Sequence, residues 1–263
     1  GESKVSFPLL KEDIVSIEEL KDGTSNKTYL LNGHYVYRKK ENSDLPFFSP
    51  INEAKILKTI EGKEIVPKQI AYDEKNGDKV EEYIKDARAF NGSEEDLKLF
   101  AGLLRKLHSL SSKGIAPFNT KERYLFYKKK SQEDLGEGDL YKEIAHLLGG
   151  KQVICHNDLW SGNTLIKEGR AYLIDFEFSA TNSPIFDLAS LLSENKIEDE
   201  DLIKFFLREY FDKEDVSQEY KDVKHLMKFE DALWFYWAKC RYLDTGKESF
   251  LAIMKDKQEA YLK

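Results

Sequence analysis

The sequence predicts an α+β fold of two lobes, with a small antiparallel β-sheet within residues 1–84 and a larger, mostly helical lobe over residues 85–263. Up to residue 84, short runs of β-branched and aromatic residues alternate with turn signals such as Asn32-Gly33, a strong hairpin dipeptide. From Ser93 onward, apolar residues recur with the period of a helix instead. This change of period places the boundary between the lobes near residue 85.

The strand-rich lobe contains one predicted helix, over residues 50–60, because Ser49-Pro50 is a typical N-cap followed by proline in the first turn. Its predicted buried face carries Ile51, Ala54, Leu57 and Ile60. The predicted strands cover residues 14–20, 26–31, 35–38, 69–72 and 79–84. Residues 85–88 then form a predicted hinge between the lobes.

The helical lobe begins with a capping box at Ser93, and the helix that follows ends near His108, which we interpret as a packed or solvated histidine. A hairpin turning at Glu168-Gly169 interrupts the helices over residues 164–174. Further helices are predicted near residues 121–132, near residues 139–148, after Ser183-Pro184, and over residues 218–243.

Composition excludes several classes of protein. Apolar residues make up 41% of the 263 residues and charged residues 34%, which is typical of a globular protein. A net charge of −7 argues against nucleic acid as a partner, since phosphate binding needs a basic face. Apolar runs are too short to cross a membrane, and two cysteines do not make a disulfide framework. We therefore expect a cytoplasmic protein without membrane insertion.

The motif with the clearest chemistry lies within residues 154–178. Asp158 and Asn163 stand five residues apart after His156, and Asp175 follows at the end of a predicted strand. That is the spacing of a kinase catalytic loop and its metal-binding aspartate. A carboxylate there accepts the proton of the substrate hydroxyl, while an amide oxygen and a second carboxylate hold magnesium. The hairpin between them is expected to bring Asn163 and Asp175 together.

Nucleotide-binding candidates come from the strand-rich lobe. The small polar turn of Gly23, Thr24, Ser25 and Asn26 offers backbone amides to phosphates. Arg38 lies in the third strand, where a kinase places its phosphate-contacting lysine, and Glu53 in the following helix is its predicted partner. The order of elements makes Glu82, Tyr83 and Ile84 the candidates for contact with the adenine.

Candidates for binding the acceptor substrate lie on the long helix. Glu230, Trp234, Trp237 and Arg241 follow one another at helical spacing, along one face. Two tryptophans at such spacing are typical of core packing, but their ring faces can also hold a cation that has no hydrogen-bond donors. Asp187 stands between apolar residues, where bracing the backbone of the catalytic loop would satisfy its carboxylate. Glu194 lies two turns further along the same helix.

Together these motifs resemble the choline/ethanolamine kinase family, within the aminoglycoside-phosphotransferase and protein-kinase-like fold. The resemblance implies ATP and Mg²⁺ as cofactors and a small amino-alcohol as substrate. It makes Asp158 the catalytic base, Asn163 and Asp175 the metal ligands with Glu177 as a further one, and His156 and Asp187 structural residues of the loop. The residues it assigns to substrate binding are Asp158, Trp160, Phe178, Glu194, Trp234 and Trp237. Phe178 stands where related choline kinases often have tyrosine, and the last ring of the cage is either Phe250 or Tyr261.

Other acceptors remain open at this point, namely ethanolamine, an aminoglycoside or thiamine. A primary ammonium would give Glu194 and Glu230 more weight than the tryptophans. A catalytically dead kinase-like binding module is a further alternative, although Asp158, Asn163 and Asp175 are all present. A protein kinase is disfavoured because Phe186 follows Asp175 by only 11 positions, which is too short for a substrate-docking activation loop.

Overall fold

A computed structural model describes residues 5–21, 26–41 and 44–263. The chain forms two compact units, one from Gly1–Ala89 and Gly162–Glu177, the other from Phe90–Ser161 and Phe178–Lys263. The first boundary falls close to the predicted residue 85. The sequence had assigned all of residues 85–263 to the helical lobe, whereas Gly162–Glu177 groups with the first unit.

The strands of the described ranges are β1 (Ile17–Leu20), β2 (Asn26–Leu31), β3 (Tyr35–Lys40), β4 (Gln69–Tyr72), β5 (Lys79–Glu82), β6 (Val153–Cys155), β7 (Thr164–Lys167), β8 (Arg170–Leu173) and β9 (Ala180–Asn182). The α-helices are α1 (Pro50–Ile60), α2 (Glu94–His108), α3 (Thr120–Ser131), α4 (Leu140–Ile144), α5 (Pro184–Glu194), α6 (Glu200–Phe211), α7 (Ser217–Thr245) and α8 (Glu248–Leu262). None of these helices combines the length and the apolar character that crossing a membrane requires.

The first unit is built on an antiparallel sheet in the order β1-β2-β3-β5-β4. Asn32 and Gly33, at the turn between β2 and β3, both have positive φ, as the predicted hairpin turn requires. On one face of the sheet, the ring of Phe7 packs edge-on against Tyr29 and Tyr37 at centroid distances of 5.1 and 5.2 Å. The five predicted strands are all present, although β1 starts only at Ile17, β3 continues to Lys40 and β5 ends at Glu82.

Helix α1 begins as predicted, because the Ser49 side chain accepts a hydrogen bond from the Asn52 amide. Its buried stripe was placed incorrectly at one end. Ile51 is 54% exposed, and Glu53 joins Ile56, Leu57 and Ile60 inside. The stripe therefore starts at a charged residue, which periodicity of apolar residues does not reveal.

The second unit is a set of packed helices with a short β6–β9 pair. Helix α2 starts at the predicted cap, where Ser93 Oγ accepts from the Asp96 amide. The long helix α7 packs against α3, α5 and α8, and α2 packs against α6. The sequence analysis assigned no helix to the residues of α6 or α8.

Candidate active site

The catalytic loop follows β6 and is held by Asp187, from the first turn of α5. The amide of His156 donates to Asp187 Oδ2 at 3.0 Å, and the amide of Asn157 donates to Oδ1 at 2.8 Å. The amide of Asp158 then donates to His156 Nδ1 at 3.2 Å. These are the bracing contacts that the sequence predicted for Asp187. They fix the backbone on the N-terminal side of Asp158, the predicted base.

Two residues that sequence reasoning did not assign extend this brace. His108 Nε2 lies 2.8 Å from Asp187 Oδ2, and His108 Nδ1 lies 2.7 Å from the hydroxyl of Tyr210 on α6. Burial disfavours the charge of Asp187, but the hydrogen bonds from His108 and the Asn157 amide outweigh it and lower the pKa of this carboxyl. Asp187 is therefore an ionised, fully hydrogen-bonded anchor beneath the loop.

His108, Cys155 and Asp187 also form a compact buried group, with potential ligand atoms within 4.8 Å of one another. Their polar atoms already contact one another, and Asp187 also accepts hydrogen bonds from amides of the catalytic loop. Cys155 Sγ contacts His108 Nε2 at 3.8 Å, and burial raises the pKa of the thiol well above its usual value. We interpret the group as a structural hydrogen-bond network.

The side chain of Asn157 joins the loop to the segment after Glu177. Its Nδ2 donates to the carbonyl of Phe178 at 2.9 Å, and its Oδ1 accepts from Asn182 Nδ2 at 3.1 Å. Asn157 also has φ +72°, a left-handed conformation that asparagine tolerates better than most residues. The loop and the backbone of Phe178 are thus joined by a hydrogen bond within the second unit.

In the first unit, the β7–β8 hairpin brings together the predicted metal ligands Asn163 and Asp175. The amide of Ile174 donates to the carbonyl of Asn163 at 3.0 Å, so the two ends of the hairpin meet. Asp175 has φ +58°, an uncommon backbone conformation of the kind found at functional sites. The amide and carboxylate oxygens of Asn163, Asp175 and Glu177 are of the type that magnesium prefers.

Lys40, which the sequence analysis did not assign, reaches these carboxylates. Its ammonium donates to Glu177 and lies 4.3 Å from the centre of the Phe48 ring. Burial opposes its charge, but the charges of Glu177 and Asp175 outweigh that effect and raise the pKa of Lys40. A local field that favours a cation is what a magnesium site needs, so these residues fit the ion.

The roles of the remaining residues that were predicted to bind the nucleotide stay predictions. The partner that the structure shows for Arg38 is Glu81, with Nη2 and Oε1 2.7 Å apart. Glu53 accepts from the Tyr72 hydroxyl at 2.8 Å and lies 3.5 Å from Lys79 Nζ. The Arg38–Glu53 pair that the sequence predicted therefore stays a prediction.

At the end of β5, the amides of Glu82 and Tyr83 donate to the carbonyls of Lys68 and His34. The hydrogen bonds of these two amides thus stay within the first unit, and adenine contact by Glu82, Tyr83 and Ile84 remains predicted. Asn26 opens β2, whereas Gly23, Thr24 and Ser25 lie outside the described residues.

The predicted substrate rings meet in one cluster. Phe178 lies 5.0 Å from Trp234 and 5.8 Å from Trp237 between ring centres, and the two tryptophans are 5.6 Å apart. Phe250 of α8 packs against Trp237 at 5.7 Å between ring centres, and the choice between Phe250 and Tyr261 as the last ring of the cage stays a prediction. Trp234 is 4% exposed, whereas Phe178 and Trp237 are partly exposed, so one side of the cluster is accessible. Trp160 is 38% exposed.

Charged residues that are largely buried lie on α7 and α8, the helices that carry Trp234, Trp237 and Phe250, and on α5. Glu194 accepts a hydrogen bond from Lys257 of α8, and Glu230 and Asp231 precede Trp234 on α7. Burial raises the pKa of Glu230 well above its usual value, with repulsion from Glu194 adding to the effect. Among the described residues, neither carboxyl oxygen of Glu230 nor the indole nitrogen of Trp234 has a hydrogen-bond partner.

Comparison with known sequences and structures gives a consistent picture. The family described as "Phosphotransferase enzyme family" matches residues 16–221. Protein LicA of Haemophilus influenzae is 33% identical over 100 residues, which are 35% of this chain and 37% of LicA. The alignment with this curated relative thus spans little more than a third of its length.

Two solved structures share the fold over nearly the whole chain. A choline/ethanolamine kinase family protein from Mesorhizobium loti has a TM-score of 0.80 at 21% identity, covering 98% of this chain and 92% of that one. Choline kinase LicA from Streptococcus pneumoniae has a TM-score of 0.76 at 21% identity, covering 95% and 94%. The predicted α+β, protein-kinase-like fold is therefore confirmed.

Proposed function

Because the chain belongs to the phosphotransferase enzyme family, we propose that it is an ATP-dependent kinase that phosphorylates the hydroxyl of choline, giving phosphocholine and ADP. The observation that carries the choline assignment is the cluster of Phe178, Trp234 and Trp237, with ring centres 5.0–5.8 Å apart. Asn157 of the catalytic loop donates to the Phe178 carbonyl, so Phe178 belongs both to the ring cluster and to the hydrogen-bond network of the loop.

In this proposal Asp158 accepts the proton of the choline hydroxyl as its oxygen attacks the γ-phosphorus. The new O–P bond forms while the bond to the β–γ bridging oxygen breaks, and that oxygen leaves with the electron pair as part of ADP. Such a loose transition state asks mainly for positioning. Asp187 supplies positioning through its hydrogen bonds with the amides of His156 and Asn157.

Asn163, Asp175 and Glu177 would hold magnesium, which when bound screens the charge of the phosphates. Arg38 is proposed to contact the phosphates, with Glu53 and the turn of Gly23, Thr24, Ser25 and Asn26 in supporting roles. Lys40 is a second candidate for phosphate contact, since it lies on the same face of β3 as Arg38 and already neutralises Glu177.

The ring cluster suits a trimethylammonium group for a physical reason. This cation has no N–H to donate, so ring faces bind it where hydrogen-bond acceptors alone cannot. Each face contributes about 0.5–2 kcal/mol, so three faces supply roughly 1.5–6 kcal/mol toward binding. The roughly 4.1 kcal/mol that a millimolar dissociation constant requires falls within this range.

The second candidate is a kinase for ethanolamine, favoured by the largely buried carboxylates of Glu194 and Asp231. A primary ammonium would donate to such carboxylates directly. Aminoglycosides and thiamine are further acceptors to be tested. A dead kinase-like module would bind nucleotide without turnover.

A coupled ADP-release assay with magnesium and ATP tests these alternatives, using choline, ethanolamine, thiamine and an aminoglycoside as acceptors. We expect choline to give the highest kcat/KM. A higher kcat/KM for another acceptor would overturn the choline assignment. ATP binding without ADP release on any acceptor would favour the binding module.

A further inference from the structure

Helix α8 places a buried cation on the carboxylate of Glu194. Lys257 Nζ lies 2.5 Å from Glu194 Oε1 and 3.8 Å from Asp231 Oδ1. The side chains of Lys257 and Glu194 are only 7% and 12% exposed. Asp231 is held in turn by Ser193, whose hydroxyl donates to Oδ1 at 2.6 Å. Lys257 is thus a fixed partner of Glu194 rather than a solvated surface lysine.

The ion pair and the ring cluster both lie where α7 packs against α8. Phe250, two turns before Lys257 on α8, packs against Trp237 of α7. Asp231 precedes Trp234 by three residues on α7, which puts them about one turn apart on neighbouring parts of one face. The rings and the ion pair therefore both lie along the contact between α7 and α8.

The number of N–H donors distinguishes the two candidate substrates, the quaternary ammonium of choline and the primary ammonium of ethanolamine. A buried carboxylate needs donors, and leaving it without them is costly. A primary ammonium brings three N–H groups, whereas a quaternary ammonium brings none. If Glu194 depended on the substrate for its donor, ethanolamine would bind better than choline. Lys257 already donates to Glu194, so a trimethylammonium group can approach without leaving the carboxylate unsatisfied.

We propose that Lys257 is a specificity-determining residue which, by donating to Glu194, tunes the acceptor site toward a quaternary ammonium and away from a primary one. This inference rests on the proposed function. Two carboxylates, Glu194 and Asp231, face one ammonium here, so Lys257 does not offset the charge of both, and the remainder attracts either cation at long range. The negative charge then attracts either substrate. Because Glu194 already has a hydrogen-bond donor, the site favours the cation that brings no N–H group.

The test measures kcat/KM for choline and for ethanolamine in the wild type and in Lys257→Met. Removal of the donor should shift the choline-to-ethanolamine ratio toward ethanolamine by about tenfold or more, since hydrogen bonds to charged groups are strong. Lys257→Gln, which keeps an N–H donor of lower charge, should retain more of the choline preference. Lys255→Met is the matched control, because Lys255 lies exposed on the same helix, and it should leave the ratio unchanged.

An unchanged ratio in a folded Lys257→Met variant would overturn the inference, as would an equal shift in Lys255→Met. If Lys257→Met does not fold, inhibition of the wild type decides: tetramethylammonium should inhibit choline phosphorylation more strongly than methylammonium, and the reverse order would refute the proposal. A wild type that phosphorylates neither alcohol would instead refute the proposed function itself.

Discussion

The Asp187→Asn substitution is the sharpest perturbation of the catalytic loop. Asp187 accepts three hydrogen bonds at 2.8–3.0 Å, from the amides of His156 and Asn157 and from His108. An asparagine replaces one oxygen by an NH₂ group, which faces at least one of these donors instead of accepting from it. Hydrogen bonds to a charged group contribute about 1.5–3 kcal/mol each. The substitution should therefore remove at least that much of the free energy that holds the loop on residue 187.

Because 1.4 kcal/mol corresponds to a factor of about ten, we expect kcat of Asp187→Asn to fall about tenfold or more. KM for ATP should change by less than about threefold, since the proposed nucleotide contacts are on other residues. Steady-state kinetics with saturating acceptor measures both, alongside thermal unfolding to verify that the variant is folded at the assay temperature.

Asp199→Asn is the matched control for this experiment. Asp199 is also a carboxylate at a helix start, accepting from the Leu202 amide at 2.9 Å, but it is exposed and asparagine caps helices equally well. Its kcat should equal that of the wild type. A folded Asp187→Asn enzyme with kcat within about twofold of the wild type would refute the bracing role.

Three further outcomes follow from the same geometry. Trp237→Ala should raise KM for choline about threefold to thirtyfold, by loss of one ring face, with little change in KM for ATP in the same assay. Asn157→Ala removes two side-chain hydrogen bonds and puts alanine at φ +72°, so the free energy of unfolding should fall by about 2–4 kcal/mol in denaturant titrations. Burial raises the pKa of Asp231 to about 6, so wild-type stability should decline from about pH 4 to pH 6 relative to Asp231→Asn, by at most about 3 kcal/mol.

The sign for Asp231 follows from which state binds the proton. Its pKa is raised in the folded protein, so between its ordinary value and about 6 the folded state holds the proton that the unfolded state has released. Rising pH then favours unfolding, until both states are ionised. If the free energy of unfolding of the wild type rose with pH relative to that of Asp231→Asn across this range, the raised pKa of Asp231 would be contradicted. For Trp237→Ala, an unchanged KM for choline would contradict the prediction. For Asn157→Ala, a decrease of less than about 1 kcal/mol in the free energy of unfolding would do so.

The features that the sequence predicted correctly have local signals. Ser49 and Ser93 cap helices because their hydroxyls accept from amides three residues later. The Asn32-Gly33 turn and the β7–β8 hairpin each contain a glycine at positive φ, a conformation that glycine adopts readily. Such signals lie within a few positions of one another, so a single sequence suffices to find them.

The residues that the sequence analysis missed depend on partners far away in the chain. Lys40 meets Glu177 after 137 positions, His108 meets Tyr210 after 102, and Lys257 meets Glu194 after 63. Each charged or polar side chain alone is indistinguishable from a solvated one, and α6 and α8 were not predicted as helices. Only the packing of the folded chain turns these residues into buried, hydrogen-bonded groups.

The proposed reaction is phosphorylation of choline with Asp158 as the catalytic base. Mass spectrometry tests it by detecting phosphocholine after incubation of the protein, or of the Asp158→Ala variant, with choline, magnesium and ATP. We expect equimolar phosphocholine and ADP from the wild type, and nearly none from Asp158→Ala although that variant still binds ATP. No phosphocholine from the wild type, or equal amounts from both proteins, would contradict it.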